Sequence, residues 1–139
     1  IEALKAAKLL EKENIAVEII DLRSIKPLDK EFILKSVAKT QRLIVADMDW
    51  QIAGLSAEIL ALVAEAGIVL KALPARLTYP DQYVPTSPDL VKDYYPSFET
   101  IFLEVIKMMR KSSKELLKQV KKYVPKVIDV PDKTFTGPF

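Results

Sequence analysis

Short strand-like runs alternate with helix-forming segments along most of the chain, and this alternation limits the folds open to it. The runs VEIID at 17–21, RLIVAD at 42–47 and ARLT at 75–78 have the β-branched or continuous apolar character of strands. Helix-forming segments separate these runs, so consecutive strands need crossover connections. The order therefore predicts an α/β domain, a Rossmann-like fold of three layers with a mainly parallel sheet.

Four segments are predicted to be helices, and they cover residues 2–13, 30–40, 56–67 and 97–124. Asp29, Ser56 and Ser97 are residue types that cap helix starts, and they stand where three of these helices begin. Asn14 and Gly67 are typical of helix stops.

The order of elements begins with a helix, although a parallel α/β domain usually has a strand ahead of its first helix. We therefore expect that the sheet lacks its first strand and that the chain, which opens at Ile1, is a fragment of a longer protein. The continuous apolar run at 42–47 also predicts a strand that is buried on both faces. A strand from the chain's own residues in the first position would contradict the truncation.

Prolines at 80, 85, 88 and 96 exclude a central strand or a long helix between Tyr79 and Pro96. They leave a surface loop with room for one helical turn over DLVKDY. Tyr83, Tyr94 and Tyr95 lie in this loop, and two interpretations stay open: an interface anchor, or packing of the loop against the domain.

We expect a folded domain over residues 1–106, a continuation of the last helix over 107–124, and an extended tail over 125–139. The continuation carries a basic run: Lys107, Arg110, Lys111, Lys114, Lys118, Lys121 and Lys122. A solvated helix face explains this run better than contact with nucleic acid, since no aromatic residues interleave with the lysines to stack bases.

Composition excludes several kinds of function. The 139 residues include no cysteine and no histidine, which excludes disulfides, the common zinc ligands and Ser-His or Cys-His catalytic pairs. The three glycines, at 54, 67 and 137, form no phosphate-binding loop. A formal charge of +2 gives no overall attraction to nucleic acid or membrane. No apolar run reaches the ~20 residues of a membrane span, so we expect a cytoplasmic protein.

The loop after the run at 42–47 is the most informative one, because parallel sheets bind ligands at the carboxyl ends of their strands. Asp47 and Asp49 could bind a metal or act in acid/base chemistry, but their spacing on a loop is unspecific. An interface role or plain solvation explains them better. No catalytic, cofactor-binding or metal-binding residue is assigned in this chain.

Apolar residues in the same loop predict a contact between subunits. Trp50 and Ile52 would gain nothing from exposure in a monomer unless a partner covered them. The predicted interface consists of Trp50, Gln51, Ile52, Gly54 and Leu55.

DLRSIKPLD at 21–29 resembles the DLRTIKPLD segment of the carboxy-terminal domain shared by beta subunits of thiamine-dependent 2-oxo acid dehydrogenases. Further matches follow in the family's order: Lys39-Thr40, the strand at 42–47, Asp47 to Asp49, Ala53-Gly54, Ala57 to Ile59, Arg76, Thr78, Asp81, Pro85, and Pro96 to Ile101. The resemblance covers residues 1–106. The family often has two adjacent acids and a Gly-Gly pair where this chain has Asp47-Met48-Asp49 and Ala53-Gly54, which weakens a ligand role for that loop.

The resemblance implies an enzyme that decarboxylates a 2-oxo acid on thiamine diphosphate and reductively acylates a lipoyl group on a transacylase. In that family, magnesium and the diphosphate are held by the partner subunit, and the aminopyrimidine end is held by the preceding domain. Thiamine diphosphate and magnesium are therefore expected in the full enzyme, with none bound by this chain, which would be inactive alone.

The resemblance also implies the partners: a second beta subunit, an alpha subunit or upstream domains, and the lipoyl transacylase. Subunit pairing and transacylase docking are the expected roles of this domain. Two alternatives stay open, namely a regulatory small-molecule-binding module on the same fold and the equivalent domain of a transketolase-like enzyme. A pyrimidine-binding domain upstream in the full-length gene would favour the enzyme.

Overall fold

The computed structural model describes residues 1–91, 94–111 and 120. Its elements, in chain order, are α1 (Glu2–Lys12), α2 (Lys30–Thr40), β1 (Ile44–Trp50), α3 (Leu55–Glu65), β2 (Ala75–Tyr79), α4 (Pro88–Val91) and α5 (Phe98–Met108). β1 and β2 pair in parallel, with Ile44 opposite Ala75 and Trp50 opposite Tyr79. The predicted α/β alternation and parallel pairing are confirmed.

Two helical layers enclose the sheet, and each has its own core cluster. In the first cluster, α1 packs against α5 through Leu10, Phe102 and Ile106. In the second, Val37 of α2 and Ile59 of α3 are buried together with half-buried side chains of the sheet. The arrangement is a three-layer, Rossmann-like domain, as predicted.

Where a helix end depends on residues close along the chain, the structure agrees with the sequence prediction. The Phe32 amide donates to Asp29 Oδ1 at 3.1 Å, so Asp29 caps α2. Ser97 forms a capping box at the start of α5: the Thr100 amide donates to Ser97 Oγ at 3.3 Å, and the Ser97 amide donates to Thr100 Oγ1 at 2.9 Å. Asn14 adopts a left-handed φ of 56° just after α1.

The predicted cap at Ser56 is wrong. Helix α3 begins at Leu55, and the Ser56 amide donates to Asp47 Oδ2 at 3.2 Å. The Ser56 hydroxyl is buried and has no hydrogen-bond partner among the described residues. An ionised carboxylate near a helix start is a stronger acceptor than a hydroxyl, and here it comes from β1 rather than from the helix itself.

The predicted strand over residues 17–21 is also wrong, because this segment is extended but pairs with no strand in the described chain. Its contact with the rest of the domain includes an ion pair, in which Lys39 Nζ lies 2.9 Å from Glu18 Oε2. Burial of β1 on both faces is wrong as well, since Ala46 is exposed. Both corrections have one cause: no strand of the described chain lies between β1 and this segment.

The end of α5 differs from the sequence prediction. The apolar pattern predicts a helix to residue 124, but α5 ends at Met108, and Arg110 takes a left-handed φ of 54°. Residues 112–119 and 121–139 lie outside the described residues, so the division into 1–106, 107–124 and 125–139 stays a prediction. The loop before α5 contains a single helical turn, α4, close to its predicted place.

Candidate functional site

Apolar side chains stand exposed where β1 ends. Met48 is 68% exposed, Trp50 is 41% exposed and Ile52 is 74% exposed, and we refer to these three residues as the apolar rim. Met48 and Trp50 belong to β1, and Ile52 lies in the loop that follows it. Of the five residues predicted to form an interface, Trp50, Gln51 and Ile52 reach the surface.

Backbone contacts fix the shape of the loop that carries the rim. Arg76 Nη1 on β2 donates to the carbonyl oxygen of Gln51 at 2.7 Å. A Cβ added at Gly54 would lie 2.1 Å from the carbonyl oxygen of Trp50, so the chain can fold back here only because residue 54 is glycine. Ala53 takes a left-handed φ of 60° in the same turn. The loop is therefore a defined structure and not a free connection.

The other two predicted interface residues are not exposed. Gly54 is buried and Leu55 is half-buried, packed against the cluster between α2 and α3. The structure thus divides the predicted set into an exposed part and a part that shapes the turn. Met48 was missed by the sequence prediction, although its two-residue spacing from Trp50 was the signal that could have found it.

The two acids of this loop are both engaged with backbone amides. Asp47 accepts from the Ser56 amide, and Asp49 Oδ1 accepts from the Trp50 amide at 2.7 Å. Among the described residues, no group of three His, Cys, Asp or Glu side chains could hold a metal ion. The arrangement does not bring Asp47 and Asp49 together as a metal site.

The same geometry does not fit a bound diphosphate. A helix start binds phosphate through free amides and its positive dipole end, but a carboxylate already occupies this position at α3. Asp49 adds a second negative charge beside it. The residues at the carboxyl end of β1 therefore do not suit thiamine diphosphate.

Three tyrosines form an aromatic cluster next to this loop, at the carboxyl end of β2. The Tyr79 ring lies 5.0 Å from the Tyr94 ring and 5.2 Å from the Tyr95 ring. Tyr94 is buried, and its hydroxyl donates to the carbonyl oxygen of Gln82 at 3.1 Å. For Tyr94, packing of the loop against the domain is confirmed. Tyr83 lies outside this cluster and is 96% exposed.

The environment of Tyr79 keeps its hydroxyl protonated. Burial raises the pKa of Tyr79 above its ordinary value, and the neighbouring Tyr95 and Tyr94 raise it further. The carboxylates of Asp47 and Asp49 act in the same direction. A neutral phenol beside two bonded carboxylates favours a structural or contact role over acid/base chemistry.

Two members of the predicted basic run, Lys107 and Lys111, make local contacts. Lys107 Nζ lies 3.1 Å from Glu104 Oε1 in the same helix, and Lys111 Nζ donates to the carbonyl oxygen of Glu13 at 2.8 Å. These contacts fit a solvated helix face. The predicted basic residues from Lys114 onward lie outside the described residues.

Comparisons with known proteins identify a matching family and several similar proteins. The family described as "Transketolase, C-terminal domain" matches residues 1–101. The "Pyruvate dehydrogenase E1 component subunit beta" of Rickettsia conorii is 41% identical over 113 residues, which cover 78% of this chain and 32% of that protein. The "Acetoin:2,6-dichlorophenolindophenol oxidoreductase subunit beta" of Bacillus subtilis is 37% identical, covering 77% of this chain and 32% of that protein.

A solved structure agrees with these sequences. The chain described as "Split gene transketolase, inactive beta4 tetramer" matches with a TM-score of 0.67 and 26% identity, over 78% of this chain and 35% of that one. The chain therefore spans about a third of the length of the relatives it matches. No helix among the described residues is long and apolar enough to cross a membrane.

Proposed function

Because the chain belongs to the transketolase C-terminal domain family, we propose that it is the carboxy-terminal assembly domain of a thiamine-diphosphate-dependent 2-oxo acid dehydrogenase beta subunit. The beta-subunit relatives support the type of enzyme. In this proposal, other parts of a pyruvate dehydrogenase-like enzyme hold thiamine diphosphate and magnesium. The isolated chain is inactive, and the enzyme is cytoplasmic.

The apolar rim is the observation that carries the assembly role. Three exposed apolar side chains lie at the end of β1 and in the loop that follows it, whose backbone is fixed by Gly54 and by the bond from Arg76. A pre-shaped loop loses little conformational entropy on binding, and covering its apolar side chains is favourable. The solved relative is named a tetramer, which supports pairing with a second beta subunit.

Two further contacts belong to the same proposal. The resemblance at 21–29 supports an alpha subunit as a partner and a lipoyl transacylase that docks on the assembly. The reaction would then end in reductive acylation of the transacylase's lipoyl group.

Sedimentation velocity over a range of concentrations tests the rim. We expect the chain to self-associate and Ile52→Asp to weaken association by at least about tenfold, because a charge would be buried in the contact. Val69→Asp is the matched control, since Val69 is 80% exposed and lies before β2, away from the rim. Equal association of both variants, or a chain that stays monomeric at every concentration, would contradict the proposal.

The equivalent domain of a transketolase is the second candidate, and the solved relative favours it. Its identity of 26% is lower than the 41% shared with the pyruvate dehydrogenase beta subunit. Assays of the full-length protein with its partner subunit separate the two: lipoyl acylation from a 2-oxo acid supports the first candidate, and two-carbon transfer between sugar phosphates supports the second.

A further inference from the structure

Strand β2 has one edge that no strand of the described residues covers, since β1 is its only strand partner there. The Ala75 amide donates to the Leu43 carbonyl oxygen at 3.0 Å, toward β1. Backbone groups alternate in direction along a strand, so those of Arg76 and Thr78 point away from β1. Within the described part of the chain, the amides of Arg76 and Thr78 make no backbone hydrogen bond outside the sheet. A further extended segment could pair with these groups.

A groove of about 510 Å³ runs beside this edge, between β2 and the end of α5. Leu73 and Leu77 line the groove on the side of β2, and Met108 lines it on the side of α5. Leu73 is 89% exposed, so water reaches this apolar wall. An open strand edge beside an apolar groove is a template for pairing, and proteins commonly keep such edges covered.

The groove carries more positive than negative charge. Arg76, Lys107 and Arg110 line it, and Glu104 is the one acidic residue among the described residues of its lining. Lys107 Nζ lies 3.1 Å from Glu104 Oε1, so these two charges offset each other. The two arginines leave the groove positive, which favours an occupant that brings a carboxylate.

The chain's own sequence beyond α5 contains a segment that matches the edge in length. Residues 126–130, KVIDV, lie between Pro125 and Pro131. The five residues of β2 lie in the same way between Pro74 and Pro80. Proline cannot donate to a ladder, so each pair of prolines limits pairing to the five residues between them.

The composition of this segment suits the edge and the groove. Three of its five residues are β-branched, which favours an extended conformation: Val127, Ile128 and Val130. Asp129 is its one acidic residue, and it stands among the apolar ones. The segment therefore combines strand propensity with the carboxylate that the positive groove favours.

The segment is also within reach of the groove. Val120 is buried in the cluster between α1 and α5, together with Ile106. Met108, which lines the groove, follows Ile106 by two residues in α5. The five residues between Val120 and Lys126 can span roughly 17 Å. The family match ends at residue 101, so the segment lies outside the part of the chain that the family describes.

We propose that residues 126–130 of this chain bind the open edge of β2 as an added strand, with the carboxylate of Asp129 beside the arginines of the groove. The added strand covers the backbone groups of Arg76 and Thr78 and prevents other chains from pairing there. The proposal concerns the edge of β2 and does not depend on the apolar rim at the end of β1.

Hydrogen exchange at single amides of the full chain, followed by NMR, tests the added strand. The double variant Val127→Pro, Ile128→Pro changes two adjacent residues, so one of the two lost donors faces β2 in either register. We expect the amides of Arg76 and Thr78 to exchange at least about tenfold faster than in the parent chain. The double variant Thr134→Pro, Phe135→Pro is the matched control beyond Pro131, and its exchange should equal the parent's.

A second pair of variants tests the charge and leaves the backbone intact, so it serves even if the first double variant does not fold. Asp129→Asn should speed exchange at Arg76 and Thr78 by about threefold, because a partly exposed ion pair contributes little. Asp132→Asn, beyond Pro131, should leave exchange at the parent's rate. Equal exchange in these two variants would overturn the placement of Asp129 at the groove.

The same exchange rates at Arg76 and Thr78 in both double-proline variants would overturn the proposal as a whole. Protection of these amides that disappears when the parent chain is diluted would overturn it too, because a second copy would then supply the strand. Protection that persists in Ile52→Asp, with self-association lost, would support an added strand that is independent of the rim.

Discussion

Strand β2 and the segment 17–21 border the two sides of the same sheet, and both have strand-forming sequences. β2 pairs with β1 at Ala75, Arg76, Leu77 and Tyr79, with one irregularity before Tyr79. The segment 17–21 pairs with no strand among the described residues. The difference shows that β propensity becomes a strand only when a neighbouring backbone supplies hydrogen bonds.

Truncating one buried side chain of α3 and one side chain of the segment 17–21 should give the largest difference in the free energy of unfolding. Ile59→Ala removes a side chain that is 3% exposed, so we expect a loss of about 2–5 kcal/mol in the free energy of unfolding. Ile19→Ala, in the unpaired segment 17–21 and 40% exposed, should cost roughly 1 kcal/mol or less. Urea unfolding followed by circular dichroism measures both. Similar losses at the two positions would mean that the segment 17–21 is packed as tightly in solution as the core between α2 and α3.

Substitution of Gly54 should give an intermediate effect that is specific to the end of β1. Gly54→Ala places a Cβ against the backbone of Trp50, so we expect a loss of about 1–3 kcal/mol together with weaker self-association. Gly67→Ala is the control: it meets only the strain of a φ of 66°, with no atom within 4 Å. Thermal unfolding and sedimentation of both variants test this. If a folded Gly54→Ala protein self-associated as strongly as the parent chain, the turn at Gly54 would not be needed for the contact.

Acid should loosen the segment 17–21 by a small amount. The hydrogen bond from Lys39 holds the pKa of Glu18 below its ordinary value, with Ser36 adding a second bond. A depressed folded-state pKa stabilises the fold above the unfolded pKa, and this contribution is lost as the pH falls through the folded value. Glu18→Gln should remove that part of the pH dependence in urea titrations between neutral and acidic pH. A variant with the parent's pH dependence would show that the ion pair does not form in solution.

Local features of the fold could be predicted from the sequence because the interacting residues are close along the chain. Asp29 caps α2 through an amide three residues later, and Ser97 does the same for α5. Ser56 has an equally suitable sequence, but Asp47 reaches the same helix start from β1. That contact depends on how the chain folds back at Gly54, which no local pattern specifies.

Part of the candidate site could also be predicted from the sequence, namely the part that depends on residues close along the chain. The exposed apolar character of Trp50 and Ile52 follows from their place after a strand. Packing of Tyr94 and Tyr95 with their loop was one of the two interpretations left open, but their contact with Tyr79 was not predicted. The rings meet only when the loop from Pro80 to Pro96 packs back on β2. The missing ladder at 17–21 was not predictable from propensity, since it depends on a neighbour and not on the segment itself.

Titration calorimetry most directly tests the claim that this chain contributes assembly and no cofactor site. Thiamine diphosphate is titrated into the full chain with magnesium present, and magnesium alone is the reference. We predict no binding heat beyond dilution, because Asp47 occupies the start of α3 and Asp49 lies beside it. Micromolar binding, abolished by substitutions in the loop from Asp47 to Leu55, would contradict the account and place a cofactor site in this domain.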